Sequence, residues 1–216
     1  MKPLNFTRLP PAESKVRAAS FREKLDARRT IRDFSAEPIP EGVLEDCLAT
    51  ANGAPSGANL QPWHFGIITS AEMKRRIREA AEAEEREFYE SRAPDEWLEA
   101  LEPFGTDWRK PFLETAPALI AIFHKNRVTV ADGRDSKSYY SKESTGIATG
   151  FLIAALHEAG LATLTHTPSP MGFLNGALGR PASEKPFVLL VVGYPAENCE
   201  VPELEKAALD ARSSRH

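Results

Sequence analysis

The sequence predicts a single α+β domain, a mixed layer of strands and helices, and three observations carry that prediction. First, Pro117 to His124 (PALIAIFH) and Pro186 to Val192 (PFVLLVV) are continuous apolar runs of strand length, the pattern of strands buried on both faces. Second, the segment between them, Ser141 to about Ala159, reads as the best helix in the chain. Gly160 follows it and can take the left-handed conformation that stops a helix. Third, strands and helices do not alternate with the regularity of a doubly wound sheet. The 216 residues suffice for one compact domain, or for a protomer that completes its core by pairing.

The remaining elements follow in order. Residues 1 to about 12 hold three prolines and read as an extended arm, either frayed or laid across a partner. From Glu13 to Arg28 the pattern is helical, with Val16, Ala19, Phe21 and Leu25 among charges. After Pro38 and Pro40 a second helix is expected from Glu41 to about Ala51, ended by Asn52-Gly53. The loop Ala54 to Asn59 leads to a strand, Trp63 to Thr69, and then to a long charged helix from about Ala71 to Ser91. Residues 92–112 read as irregular, with Pro94, Pro103, Gly105 and Pro111 among Trp97, Phe104, Trp108 and Phe112. A long aromatic-bearing segment inside a compact domain is often a lid, so 71–112 is expected to form a lid helix and loop. The Ser141–Ala159 helix carries small residues at Gly146, Ala148, Gly150, Ala154 and Ala155, which would let another backbone or a flat ligand approach closely. Leu161 to Thr165 is a short strand.

Composition narrows the function classes. Hydrophobic residues at 42% and charged residues at 27% are those of an ordinary globular protein. The net charge of −4, with no dense basic cluster, gives no footprint for nucleic acid. Cys47 and Cys199 have no Cys or His neighbour at ligand spacing, so neither a disulfide framework nor a metal site is expected. No apolar signal segment and no membrane-length run appear, which leads to the expectation of a cytoplasmic protein.

Two clusters could carry chemistry. Arg28-Arg29-Thr30-Ile31-Arg32 puts three guanidiniums and a hydroxyl within five residues, a set suited to phosphate oxygens. A basic triplet at a helix end also complements the helix dipole and faces water, and on pattern alone that reading is favoured. Ala54-Pro55-Ser56-Gly57-Ala58 is a turn whose backbone N–H groups suit an anion or the edge of a planar ring, or else an ordinary loop. Phosphate-binding loops, dinucleotide fingerprints, nucleophile elbows and zinc-protease motifs are all absent.

Taken in register, these clusters and the flanking Asp33-Phe34-Ser35, Pro38-Ile39-Pro40 and Gln61-Pro62-Trp63 resemble the N-terminal signature of the nitroreductase superfamily. Later segments are similar to its iodotyrosine deiodinase branch: Thr115-Ala116-Pro117, Thr165-His166-Thr167-Pro168, Leu178-Gly179-Arg180-Pro181 and Val192-Gly193-Tyr194-Pro195. The resemblance implies a central, mostly antiparallel sheet flanked by helices, in a domain-swapped type of homodimer with FMN at the subunit interface. It implies that Arg28, Arg29, Thr30, Ile31 and Arg32 hold the cofactor, with Pro55 and Ser56 reaching it from the partner's side. Thr165, His166 and Thr167 would line the other edge of the ring, and the Thr167 hydroxyl would donate to flavin N5 and so favour one-electron steps. Glu85, Tyr89 and Lys110 would bind the ammonium and carboxylate of a halogenated tyrosine, and the Ala58 N–H would bind its phenolate. Glu85 and Tyr89 are four apart and so share a helix face, although Ala81 to Glu87 viewed alone is what a solvated helix looks like.

The implied activity is reductive dehalogenation, with NAD(P)H as external reductant, directly or through a reductase. A general nitroreductase or quinone reductase is the alternative enzyme, and a flavin- or halotyrosine-binding protein the non-catalytic one. The chain departs from the branch in three places. Thr30 stands where relatives have serine, and His166 interrupts a threonine run, so that its contact to FMN is expected through the backbone. Lys206 stands where an arginine would reach the FMN phosphate. A membrane anchor found in the animal enzymes has no counterpart in this sequence, which suggests a soluble, bacterial-type form.

Overall fold

A computed structural model describes residues 1–216. In chain order the elements are α1 (Pro11–Asp26), α2 (Val43–Asn52), β1 (Trp63–Ile68), α3 (Ala71–Glu87), α4 (Asp95–Leu101), α5 (Phe112–Thr115), β2 (Ala118–Lys125), β3 (Arg127–Thr129), β4 (Asp135–Lys137), α6 (Ser141–Glu158), β5 (Ala162–His166), α7 (Phe173–Ala177) and β6 (Glu184–Gly193). Four strands form one antiparallel sheet in the order β1-β2-β6-β5, and β3 and β4 form a separate hairpin.

The two apolar runs are the central strands, and each is divided between two cores by the period-two geometry of a strand. Leu119, Ala121, Phe123, Leu189 and Val191 face α3, α5 and α7, packing with Ile77, Ala81, Leu113 and Leu174. Ala118, Ile120, Ile122, Val188, Leu190 and Val192 face α2 and α6, packing with Leu44, Cys47, Leu152 and Leu156. Both faces are therefore covered, which is why these antiparallel strands show no alternation of polar residues. Burial of these side chains stabilises the fold by roughly 1.5–3 kcal/mol each, before the entropy of ordering them is subtracted.

Beyond the edge strand β5, the chain before α2 adds a partial fifth line. Thr30 bridges Thr163 in parallel and Phe34 bridges Pro195. This pairing lays the arginine cluster alongside β5. Helix α1, by contrast, buries no residue and is tied down by polar contacts: Lys24 pairs with Glu158 at 2.6 Å, and the Lys24 carbonyl meets His157 Nε2 at 2.8 Å.

Two expectations need correction. Residues 92–112 are not wholly irregular: Pro94 stands before α4, and Asp95 and Glu96 supply the acidic first turn that favours a helix start. The charged helix ends as an α-helix at Glu87, and Phe88–Arg92 continues it as one wider π-type turn carrying Tyr89. The hairpin of β3 and β4 and the short α7 were not foreseen. No helix is long and apolar enough to cross a membrane.

At the end of β6, Gly193 lies against a proline ring. A methyl group added there would come within 2.5 Å of Pro117 Cδ and 3.3 Å of Phe34 Cδ1. Gly193→Ala is therefore expected to destabilise the protein by roughly 1–3 kcal/mol, the usual cost of overpacking a rigid site. Urea denaturation of the two proteins measures it, and equal midpoints would show that the ring yields freely.

Candidate functional site

The pairing of Thr30 with Thr163 brings Arg32 beside Thr165, and around this point two cavities meet. The larger, about 690 Å³, is lined by Arg28, Arg29, Thr30, Arg32 and Lys206, with Asp26 and Glu205 as its carboxylates. Arg29 donates from Nη2 to the Pro202 carbonyl, which ties the C-terminal segment bearing Lys206 to the arginine cluster. Four cations against two carboxylates make this end an anion site by charge, and Leu164, Thr165 and Phe104 supply a flatter wall. Arg32 lies 5.5 Å from the centroid of the Phe104 ring, and its burial pushes its pKa down.

The second cavity, about 320 Å³, shares Arg32, Leu164 and Thr165 with the first, so the two adjoin. Glu85, Tyr89, Lys110, His166 and Thr167 line it, together with Phe88, Trp97, Leu101 and Phe112. Lys110 is the centre of this end. Its side chain is only 4% exposed, and its ammonium lies 3.3 Å from Glu85 Oε2, a carboxylate itself 13% exposed. It also donates to the Asp107 carbonyl and to Thr106 Oγ1 at 3.3 Å, and it sits 5.4 Å from the Tyr89 ring centroid. Burial lowers the Lys110 pKa while Glu85 opposes the shift. Burial likewise raises the pKa of Tyr89, whose hydroxyl makes only a long 3.5 Å contact to the Thr106 carbonyl. The segment that leads to Lys110 is held from α3, where Arg86 stacks over the Trp108 ring at 4.0 Å.

Most of the residues expected to act together are thus brought together: the arginines, Thr30, Thr165, His166, Thr167, Lys206, Glu85, Tyr89 and Lys110 all line the paired cavities. Three are not. Pro55, Ser56 and Ala58 line neither cavity; Ser56 Oγ accepts from the Gln61 N–H at 2.9 Å, and Ala58 holds a left-handed φ of 51°. The side chain of Ile31 is buried in the core with Phe34, leaving only its backbone available to a cofactor. The lining by Trp97, Leu101 and Thr106 agrees with the aromatic segment being part of a binding site. Phe112, one of the aromatics of that segment, also lines the cavity, whereas Phe88 carries no signal in the sequence that would single it out.

His166 is among the residues that line the second cavity, and strand alternation turns its ring to the side of Leu164, where it meets Phe112 edge-on at 5.7 Å. Its Nε2 is buried without a hydrogen-bond partner. Burial first, and then the charges of Lys110 and Arg32, push its pKa down to about 3.

The chain belongs to the nitroreductase family, whose model matches residues 25–194. Within that family it is similar to the iodotyrosine deiodinase of Haliscomenobacter hydrossis, with 53% identity across 91% of this chain and 88% of that one. Iodotyrosine deiodinase 1 of Mus musculus is 43% identical across 96% of this chain and 73% of its own length. Among solved structures, oxidized iodotyrosine deiodinase bound to FMN and 3-iodo-L-tyrosine superposes with a TM-score of 0.73 at 33% identity, covering 87% of this chain and 94% of that one. The resemblance read from the sequence is borne out.

The neutral state of His166 has a consequence for stability. As pH falls below about 6.5, the unfolded chain takes up this proton and the folded one does not, so stability is lost from there down towards pH 3. His64 and His124, also lowered by burial, act in the same direction. His166→Gln is expected to make the fall in stability between pH 6 and 4 shallower by about 1 kcal/mol per pH unit. Chemical denaturation across that range checks this, and parallel curves would contradict it.

Proposed function

We propose that this protein binds FMN and uses it to remove halogen from halogenated tyrosines, releasing tyrosine and halide. One observation carries the proposal: a buried Lys110–Glu85 pair lines a cavity that shares the Arg32 wall with a second cavity lined by four cations. The names of its relatives support the same reading.

The residues fit FMN. A phosphate needs the donors that Arg28, Arg29, Thr30, Arg32 and Lys206 offer, and a buried Nε2 without a partner on His166 marks a wall built for a further polar group. FMN supplies the two electrons of the reduction, drawn from an external reductant such as NAD(P)H. With them and one proton, the carbon–halogen bond is replaced by carbon–hydrogen and halide leaves. The chain's own contribution is binding and orientation. Arg32 adds positive charge beside the ring, which tunes a flavin towards its reduced anionic form. The Thr167 hydroxyl, in the lining of the second cavity, would be the donor to flavin N5, which would make Thr167 the residue nearest the chemistry.

At the other end, a zwitterionic amino acid offers each member of the ion pair a new partner. Its carboxylate takes the Lys110 ammonium, its ammonium takes Glu85, and Tyr89 adds a hydrogen bond. An apolar ligand offers neither member a new partner, so separating the pair to admit it would leave two buried charges without compensation. Phe88, Trp97 and Leu101 of the lid exclude water around the halogenated ring.

Pro55, Ser56 and Ala58 enter this scheme from a second copy of the chain, with Ser56 at the flavin and the Ala58 N–H at the phenolate oxygen. The outer face of α6 supports a homodimer. Ile147 and Phe151 are 44% and 42% exposed there, and a methyl group added at Gly150 between them would meet no other element within 4 Å.

Two outcomes are expected. Glu85→Gln and Lys110→Gln should each weaken 3-iodotyrosine binding roughly 10- to 100-fold, the range for a buried charge-assisted hydrogen bond, as read by quenching of flavin fluorescence. Affinities unchanged in both would overturn the substrate assignment and favour a general nitroreductase. Ile147→Glu should give a monomer by light scattering and lose bound FMN; a monomer that keeps FMN at parental affinity would remove the partner from the site.

A further inference from the structure

The proposed substrate site rests on Lys110, and helix α3 holds this lysine twice. Glu85 meets its ammonium, while Glu82, one turn earlier, accepts the Lys110 backbone N–H at 2.8 Å through Oε1. Glu82 is itself fixed: its Oε2 takes Arg78 Nη1 at 2.8 Å, and the same guanidinium reaches Glu114 Oε2 at 2.7 Å from Nε. Below that, Lys74 donates to the carbonyls of Glu114 and Ala116 at 3.0 and 2.6 Å. Lys74, Arg78, Glu82, Glu85 and Tyr89 thus form one stripe at spacings of four, four, three and four, the spacing of a single helix face. The stripe runs from the start of β2 to the cavity and grips the segment from Lys110 to Ala116 at both ends.

We propose that Glu82 is a positioning residue that sets where the Lys110 ammonium stands for an incoming carboxylate. Lys110 has no helix or strand of its own to fix its backbone: it lies between the Gly105 turn and the four-residue α5. The Glu82 carboxylate, with its side chain only 15% exposed, is the acceptor that fixes the point from which the long lysine side chain departs. A backbone free to shift there would move the ammonium by ångström distances, and a charge pair in a site of this kind depends on that distance. Glu82 touches neither end of the cavity's proposed ligands and is absent from its lining.

This inference rests on the substrate reading above, and the test separates the two. The FMN-loaded protein is titrated with 3-iodo-L-tyrosine and with 2-iodophenol, which lacks the amino-acid group, following flavin fluorescence. Glu82→Ala is expected to weaken iodotyrosine binding about tenfold and leave iodophenol binding and FMN retention as they were. Glu82→Gln, which keeps an oxygen acceptor for the Lys110 N–H, is expected to recover most of the loss. If Lys110→Gln discriminates between the two ligands and Glu82→Ala does not, Glu82 has no positioning role and the substrate reading stands. If Lys110→Gln does not discriminate either, the substrate reading itself fails. Should Glu82→Ala lower both affinities equally, its part is general stability and the proposal is overturned. Should it fail to fold, Glu82→Asp, one methylene shorter, is read against the same pair of ligands.

Discussion

A lysine ammonium taken almost wholly out of water has to be answered by charge, and the arrangement around Lys110 is organised by that need. Removing such a group from water costs several kcal/mol, and a single carboxylate at 3.3 Å does not repay it unless the remaining protons are also bonded. Thr106, the Asp107 carbonyl and the face of Tyr89 complete the set. The consequence is specificity by exchange. A ligand that brings one anionic and one cationic group can replace the internal partners without stranding a charge, whereas a plain phenol cannot. The segment from Thr106 to Asp107, the wider turn that carries Tyr89 and the stripe on α3 all converge on this one group.

The opposite end of the cavity is governed by pairing rather than burial. Thr30 lies against Thr163, so the arginine cluster runs beside β5 in a register that sets Arg32 next to Thr165. The central strands, buried on both faces, are rigid, and they hold β5 in place from Gly193 to Leu189. In the proposed function, cofactor phosphate, ring and amino-acid group would find their partners across the two adjoining cavities, which share Arg32. His166 lies between the two cations, and their charges help to keep it neutral.

Much of this was legible in the sequence, for reasons that differ by element. The central strands were evident because continuous apolar runs of eight or so residues have few other solutions, and α6 because Gly160 ends it. The arginine cluster was visible as chemistry but ambiguous as function until its pairing with β5 gave it a cavity. Glu82 was not legible: in Ala81-Glu82-Ala83-Glu84-Glu85 nothing local distinguishes a glutamate that accepts a backbone N–H from one in water. Only the return of the chain at Lys110 makes that distinction. The burial of the His166 side chain follows from strand parity, which turns it inward with Leu164, a signal that is weak at the end of a five-residue strand. Helix α4 could have been found from Pro94-Asp95-Glu96, but the prolines and glycine around it dominated the reading. The β3–β4 hairpin is short, polar and exposed, and it leaves no hydrophobic period to detect.

The account's central claim is that the Glu85–Lys110 pair reads a zwitterion. Its most direct test is calorimetric titration of the FMN-loaded protein with 3-iodo-L-tyrosine, its N-acetyl derivative and its methyl ester. Blocking either end of the amino acid should cost at least about tenfold in affinity, since each leaves one buried charge unanswered. Equal affinities for the three ligands would contradict the claim.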